Sequence, residues 1–140
     1  MPRAIPFAAL CLALHSAASI ADTRVPLKGV SAMRIANYGA PSVLVEARER
    51  IAPIVQELNG LRSKAWRAGE TKLHCYSTVI FLSGKKTIGH FRVRPEALVD
   101  RQVEKGQSAY SLELSAAELP RLHKALAAIA PARTCTPPTE

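Results

Sequence analysis

Alternating apolar and polar residues run through the middle of the chain and predict β-structure there. Two alternating segments lie between Lys72 and Arg94, on either side of the sequence Leu82-Ser83-Gly84-Lys85. A period of two on both sides of a glycine-containing turn is typical of a β-hairpin. We therefore expect two antiparallel strands in this region.

The length of the hairpin loop determines which side chains share a face, because a shift of one residue turns a strand over. A two-residue loop would place Phe81 on the same face as His90 and bury charge against hydrocarbon. We therefore predict a three-residue loop, with Gly84 in the left-handed region. The cross-strand pairs that follow are Cys75 with Phe91, Leu73 with Val93 and Val79 with Thr87.

This register gives the hairpin one apolar face and one cationic face. We expect the apolar face to pack in the core and the cationic face to meet solvent. The cationic face would carry Lys72, His74, Tyr76 and Thr78 on the first strand and Ile88, His90, Arg92 and Arg94 on the second.

A repeat of three and four residues predicts a helix before the hairpin. We expect Asn59-Gly60 to end this helix, and Pro53 to kink or restart it because proline removes a hydrogen bond. The polar side of the helix includes Glu46, Arg50 and Glu57. The apolar positions that define it are Leu44, Ala47, Ile51, Ile54, Leu58 and Leu61.

A capping box, Ser115-Ala116-Ala117-Glu118, predicts the start of a second helix near the C-terminus. Its apolar stripe runs from Leu119 to Ile129, and Pro131 stops it. We expect Pro120 to separate the first turn from the main helix.

The remaining elements complete an α+β fold. We predict strands over 25–35, interrupted at Gly29, and over 110–114, with a further strand within 62–68 and irregular chain over 97–106. Strands bracketed by helices indicate an antiparallel sheet of about four strands with two helices packed on one face. One disulfide would add stability to this single domain, which we place at residues 22–140.

The first 21 residues have the pattern of a cleavable export signal. Arg3 precedes an apolar run over 5–14, and small residues end at Ala21. The run is too short for a membrane anchor, and Leu10 is too bulky for a lipoprotein signal ending at Cys11. We expect a periplasmic or secreted protein in which Cys75 and Cys135 form a disulfide, since export favours disulfides.

The chain is basic, with 19 Lys and Arg against 11 Asp and Glu. Removing the signal removes Arg3 alone, so 18 minus 11 leaves the exported chain at +7. No helix-turn-helix, zinc or RNA-binding motif accompanies this charge, and we expect no nucleic-acid partner. An anionic envelope component or acidic protein fits an exported chain better. Solubility alone would be the other explanation of the charge.

No residue pattern indicates catalysis, a metal or another cofactor. The chain lacks Gly-x-Ser-x-Gly and His-Glu-x-x-His, and a disulfide-bonded Cys75 cannot act as a nucleophile. His74 and His90 among cations make a poor zinc site.

These observations predict a non-enzymatic binding protein, such as an inhibitor or immunity factor, that engages an anionic protein partner. The alternatives are a merely solvated face, a binder of an envelope glycan or small molecule, and a weak hydrolase using His74, His90 and Tyr76. The predicted binding residues are His74, Tyr76, His90, Arg92 and Arg94.

Overall fold

An antiparallel sheet of seven strands forms the centre of the fold in the computed structural model. The structure describes residues 26–104, 106, 108–115 and 117–136. The predicted signal over 1–21 lies outside these residues. The strand order is β2-β1-β4-β5-β6-β7-β3. The strands are β1 (Ala32–Ala36), β2 (Val43–Val45), β3 (Arg67–Ala68), β4 (Ser77–Ser83), β5 (Lys86–Arg94), β6 (Ala97–Asp100) and β7 (Tyr110–Glu113), and the helices are α1 (Arg48–Gly60) and α2 (Pro120–Ala127).

The α+β class, the antiparallel sheet, the two helices and the disulfide between Cys75 and Cys135 are confirmed. The number of strands is not, since the sheet has seven rather than about four. β6 was predicted to be irregular. All four of its residues are buried, so the chain shows no alternation of apolar and polar residues there.

The core lies between the helices and one face of the sheet, which we call the inner face. Phe81 and Phe91 meet edge to face with ring centroids 5.9 Å apart, a favourable arrangement of aromatic pairs. The helices contribute Ile51, Ile54, Leu58, Leu122 and Leu126, and the sheet contributes Met33, Ile35, Val79, Phe81, Phe91, Val93, Leu98 and Leu112.

The hairpin of β4 and β5 has the predicted faces over 77–81 and 89–94 but a different register, and the predicted three-residue loop is wrong. Ile88, predicted on the cationic face, is the bulged residue and packs against the core. Val79 lies opposite Phe91 rather than Thr87, and Ser77 lies opposite Val93. The turn between the paired Ser83 and Lys86 has two residues, one of which is Gly84 with φ +61°. Residue 88 forms a bulge, which adds one unpaired residue to β5. Phe91 therefore still lies on the same face as Val79, as it would with a three-residue loop. His90 and Arg92 therefore lie on the opposite face from Phe91, which we call the outer face.

Helix α1 begins later than its apolar repeat predicts. Leu44 belongs to strand β2 and is 45% exposed, so its place in the predicted helical stripe is wrong. The helix continues through Pro53 as one element, so the restart expected there does not occur. It ends at Gly60, as predicted. Ile51, Ile54 and Leu58 form its buried side.

Helix α2 is separate from its capping box, as Pro120 suggested. Glu118 accepts a hydrogen bond from the backbone N–H of Ser115 at 2.9 Å, but the helix begins two residues later. Its N-terminus is capped from α1 by Glu57, whose carboxylate accepts bonds from the N–H groups of residues 121 and 122 at 2.8 and 3.1 Å. Among the described residues, neither helix is long and apolar enough to cross a membrane.

Candidate functional site

A strap formed by residues 69–76 crosses the outer face of the sheet. Ser111 of β7 holds its start, because the Ser111 hydroxyl donates to the carbonyl of Gly69 at 2.8 Å and accepts from the N–H of Thr71 at 2.7 Å. Val99 lies between Arg92 and Ser111 in the register of this face and is fully buried. The strap therefore covers part of the surface that was expected to meet solvent.

Glu70 of the strap bridges two arginines of the outer face. Its carboxylate lies 2.7 Å from Nη1 of Arg92 and 3.3 Å from Nε of Arg101. The guanidinium of Arg92 also lies over the ring of Tyr76, 4.6 Å from the centroid, which is a cation–π contact. Arg92 is thus engaged within the molecule, and one carboxylate serves two cations.

The disulfide fastens the far end of the strap to the C-terminal tail. The Cα atoms of Cys75 and Cys135 are 5.9 Å apart. Cys75 precedes β4 and has φ +57°, so its predicted place opposite Phe91 on the buried side of the hairpin is wrong. Its carbonyl accepts a hydrogen bond from Arg94 at 3.3 Å.

The tail that carries Cys135 is held along the end of the sheet. The amide of Asn37 donates to the carbonyls of Leu126 and Ala130 at 2.8 and 3.0 Å. The N–H of Arg133 donates to the carbonyl of Tyr38 at 2.9 Å. These contacts position the disulfide without burying it, since both cysteines are half-buried.

The predicted binding residues are divided between the strap and β5. His74 is exposed and Tyr76 is half-buried, and both belong to the strap rather than to a strand. His90, Arg92 and Arg94 lie on β5. Arg94 bonds Glu96 at 3.0 Å, and this hydrogen bond lowers the pKa of that carboxyl.

Next to the strap, the outer face presents a row of apolar and polar side chains that includes two arginines, and we call it the exposed row. Arg34 of β1 and His90 of β5 both lie beside Ile80 of β4, and the N–H of Arg101 bonds the carbonyl of His90 at 2.9 Å. Leu44 of β2 lies beside Arg34. Across the sheet, the exposed row reads Leu44, Arg34, Ile80, His90 and Arg101.

Arg34, Glu70 and Arg101 also belong to this surface and were not among the predicted binding residues. Arg34 carried one signal, its place on the polar side of the alternating pattern in β1. Glu70 and Arg92 are 22 residues apart in the chain, and no local pattern joins them.

His90 lies at the centre of the positive charge. Partial burial and the cations of Arg101 and Arg92 lower its pKa below the ordinary value of 6.5, against the weaker opposing effects of Asp100 and Glu70. The imidazole is therefore neutral at pH 7 and can accept a hydrogen bond as well as donate one.

Within the described ranges, no three His, Cys, Asp or Glu side chains gather into a group that could hold a metal ion. Comparison of the chain with protein-family models, curated proteins and solved structures found no match. The outer face must therefore be interpreted from its own residues.

Proposed function

We propose that this chain is a non-enzymatic binding protein, exported to the periplasm or secreted, and that it engages an acidic protein through the exposed row. An inhibitor or immunity factor would act in this way. The observation that carries the proposal is that Arg34, His90 and Arg101 stand beside apolar side chains on a face that neither helix covers.

The charge of the outer face favours an anionic partner. Arg34, Arg67, Arg92, Arg94 and Arg101 extend from this face among the described residues, and the carboxylates near them are Glu70, Glu96 and Glu113. Glu70 is shared between two guanidinium groups, so a net positive charge remains at that point. A carboxylate of the partner would neutralise it.

The exposed row also offers apolar contact. Leu44 is 45% exposed and Ile80 is half-buried beside Arg34 and His90. Arginine next to apolar side chains is a frequent composition of protein interfaces, in which the guanidinium supplies directional hydrogen bonds. This mixture favours a protein partner over a purely ionic ligand.

The test compares two charge reversals of equal size. We expect wild-type protein, immobilised and incubated with an envelope extract, to retain an acidic protein in stoichiometric amount. The double variant Arg34→Glu/Arg101→Glu should lose at least about nine-tenths of that protein, since reversing two interface charges costs several kcal/mol. Mass spectrometry of the bound fraction measures the loss.

The matched control is Arg48→Glu/Arg50→Glu, which reverses two exposed charges on α1, away from the outer face. It should retain the partner and unfold at a urea concentration close to that of wild type. Arg34→Glu/Arg101→Glu loses the ion pair with Glu70 and should unfold at a lower concentration, so its capture is measured where it is still folded. Glu70→Gln should retain the partner at higher salt, because it frees Arg92 and Arg101. Equal retention by both double variants, or no captured acidic protein, would refute the proposal.

A further inference from the structure

We infer that a cavity between the end of α1 and the start of β5 is a second binding site, which takes a small monoanion with an apolar chain, such as a short-chain carboxylate. The cavity has a volume of about 250 Å³. Its lining comes from the ranges 26–28, 58–62, 86–91 and 100–104, but His90 and Arg101 of the exposed row do not take part in it. Its size lies just below the range for drug-sized ligands.

The inner part of the cavity is apolar. Leu27, Leu58 and Phe91 line it, and Leu58 and Phe91 belong to the core. A Cβ atom at Gly89 would lie 2.8 Å from Leu27 Cδ2 and 3.2 Å from Phe91 Cε2. The missing side chain at this position lets Leu27 pack against the backbone beside Phe91, which makes this wall of the cavity apolar.

Hydrogen bonds hold one wall in place. The side-chain amide of Asn59 accepts a bond from the N–H of Leu27 at 2.9 Å and donates to its carbonyl at 3.1 Å. Asp100 at the opposite wall accepts from the N–H of Gln102 at 3.0 Å. A site formed before the ligand arrives loses less conformational entropy on binding.

The charges around the cavity favour an anion. Lys28 and Lys86 line it, both are exposed, and neither forms an ion pair within the part of the chain described. Arg62 and Asp100 also line it, and each interacts within the protein. Glu104 is the remaining carboxylate of the lining. Three cations against two carboxylates leave one positive charge for the ligand.

The exposed apolar residue Val103 adds a further indication. It is 39% exposed and lines the same cavity. A ligand with a short hydrocarbon chain would bury this side chain, whereas inorganic phosphate or acetate would not. The ligand class is therefore an amphiphilic anion rather than a bare ion.

The test titrates the full chain with hexanoate, hexanol and acetate, followed by calorimetry and by amide chemical shifts. Hexanoate should bind with a Kd of about 1 mM or tighter and shift the amide signals of Leu27, Gly89 and Gln102. Hexanol lacks the charge and acetate lacks the chain, so each should bind at least about 5-fold more weakly.

The double variant Lys28→Gln/Lys86→Gln should weaken hexanoate binding by about 10-fold and leave hexanol binding unchanged. The control Lys85→Gln/Lys124→Gln removes the same charge outside the cavity and should bind hexanoate within about 2-fold of wild type. Arg34→Glu, which changes a residue of the exposed row outside the cavity lining, should bind it normally, and this separates the site from the outer face. Absence of binding, shifted amides elsewhere, or equal losses in the lysine pair and its control would overturn the inference.

Discussion

Two single carboxylates each serve two partners from distant parts of the chain. Glu70 pairs with Arg92 and Arg101 across the outer face, and Glu57 accepts two backbone N–H groups of α2. Both glutamates would be assigned to solvent from the sequence alone. Glu57 is half-buried and Glu70 is exposed. A carboxylate that accepts from two donors is more strongly held than one in a single exposed ion pair, so each glutamate holds two segments together.

His90 gives a pH dependence whose direction follows from its pKa. Because that pKa is lower in the folded protein than the unfolded value of 6.5, the unfolded chain binds more protons in the interval between the two values. The stabilising contribution is therefore complete above the unfolded pKa and is lost as the pH falls through the folded one. We expect the free energy of unfolding to decrease below about pH 6.5.

The measurement is urea unfolding of wild type and His90→Gln at about pH 7.5 and about pH 5.5. Wild type should lose more stability than the variant over this interval, because glutamine does not titrate. An identical loss in both proteins would show that His90 does not contribute.

Among the secondary-structure elements, α2 depends most on a neighbour for its start. Its N-cap residue, Leu119, has φ +59° and gives no side-chain hydrogen bond, and Pro120 follows it. The Glu57 carboxylate replaces the missing cap and adds a favourable interaction with the helix dipole. The contact also joins α1 to α2, so it stabilises the packing of the layer as well as one helix end.

Glu57→Ala should lower the free energy of unfolding by about 1–2 kcal/mol, the usual effect of losing a helix cap. Glu57→Gln keeps an acceptor oxygen but loses the charge, so its loss should be smaller. Equilibrium urea unfolding measures both.

The control for this helix contact is Gln56→Ala, which changes the exposed neighbour on the same helix. It should stay within about 0.5 kcal/mol of wild type. Equal stability of Glu57→Ala and Gln56→Ala would contradict the capping role.

At the level of the whole molecule, the disulfide connects the strap to the C-terminal tail, two segments that belong to neither a strand nor a helix. It joins the strap to the C-terminal tail across 60 residues of chain. The strap in turn holds Arg92 and Arg101 through Glu70. Reduction should therefore loosen the strap and alter the outer face.

Replacing both cysteines by serine should cost about 4 kcal/mol of stability, the chain-entropy estimate for a loop of this length. Such a loss is a large fraction of the stability of a small domain. Urea unfolding of the double variant and of wild type measures it.

Reductant provides the control for the cysteine variant. It should bring wild type to the stability of Cys75→Ser/Cys135→Ser and leave that variant unchanged. A loss of less than about 1 kcal/mol in the double variant would mean that the tail and strap hold their places without the bond.

Local patterns along the chain were sufficient for the α+β class, for the approximate positions of both helices and for the faces of β4 and β5. Each of these depends on periodicity or on neighbouring residues. Alternate residues of a strand lie on the same face whatever the pairing with the next strand, so an error in register leaves the assignment of faces largely correct. The cysteine pairing followed from the predicted export signal and from counting the cysteines that would remain after cleavage. His90, Arg92 and Arg94 were correctly placed on one face for the same reason.

The hairpin register, the strap and the pairing of Glu57 with α2 required the folded chain. The two turns compatible with the hairpin differ by a single bulged residue, so the local sequence does not choose between them. Glu70 meets Arg92 across 22 residues and Glu57 meets Leu122 across 65. Such contacts form only when packing of the core has brought distant segments together, because many alternative ion pairs are nearly equal in energy in water.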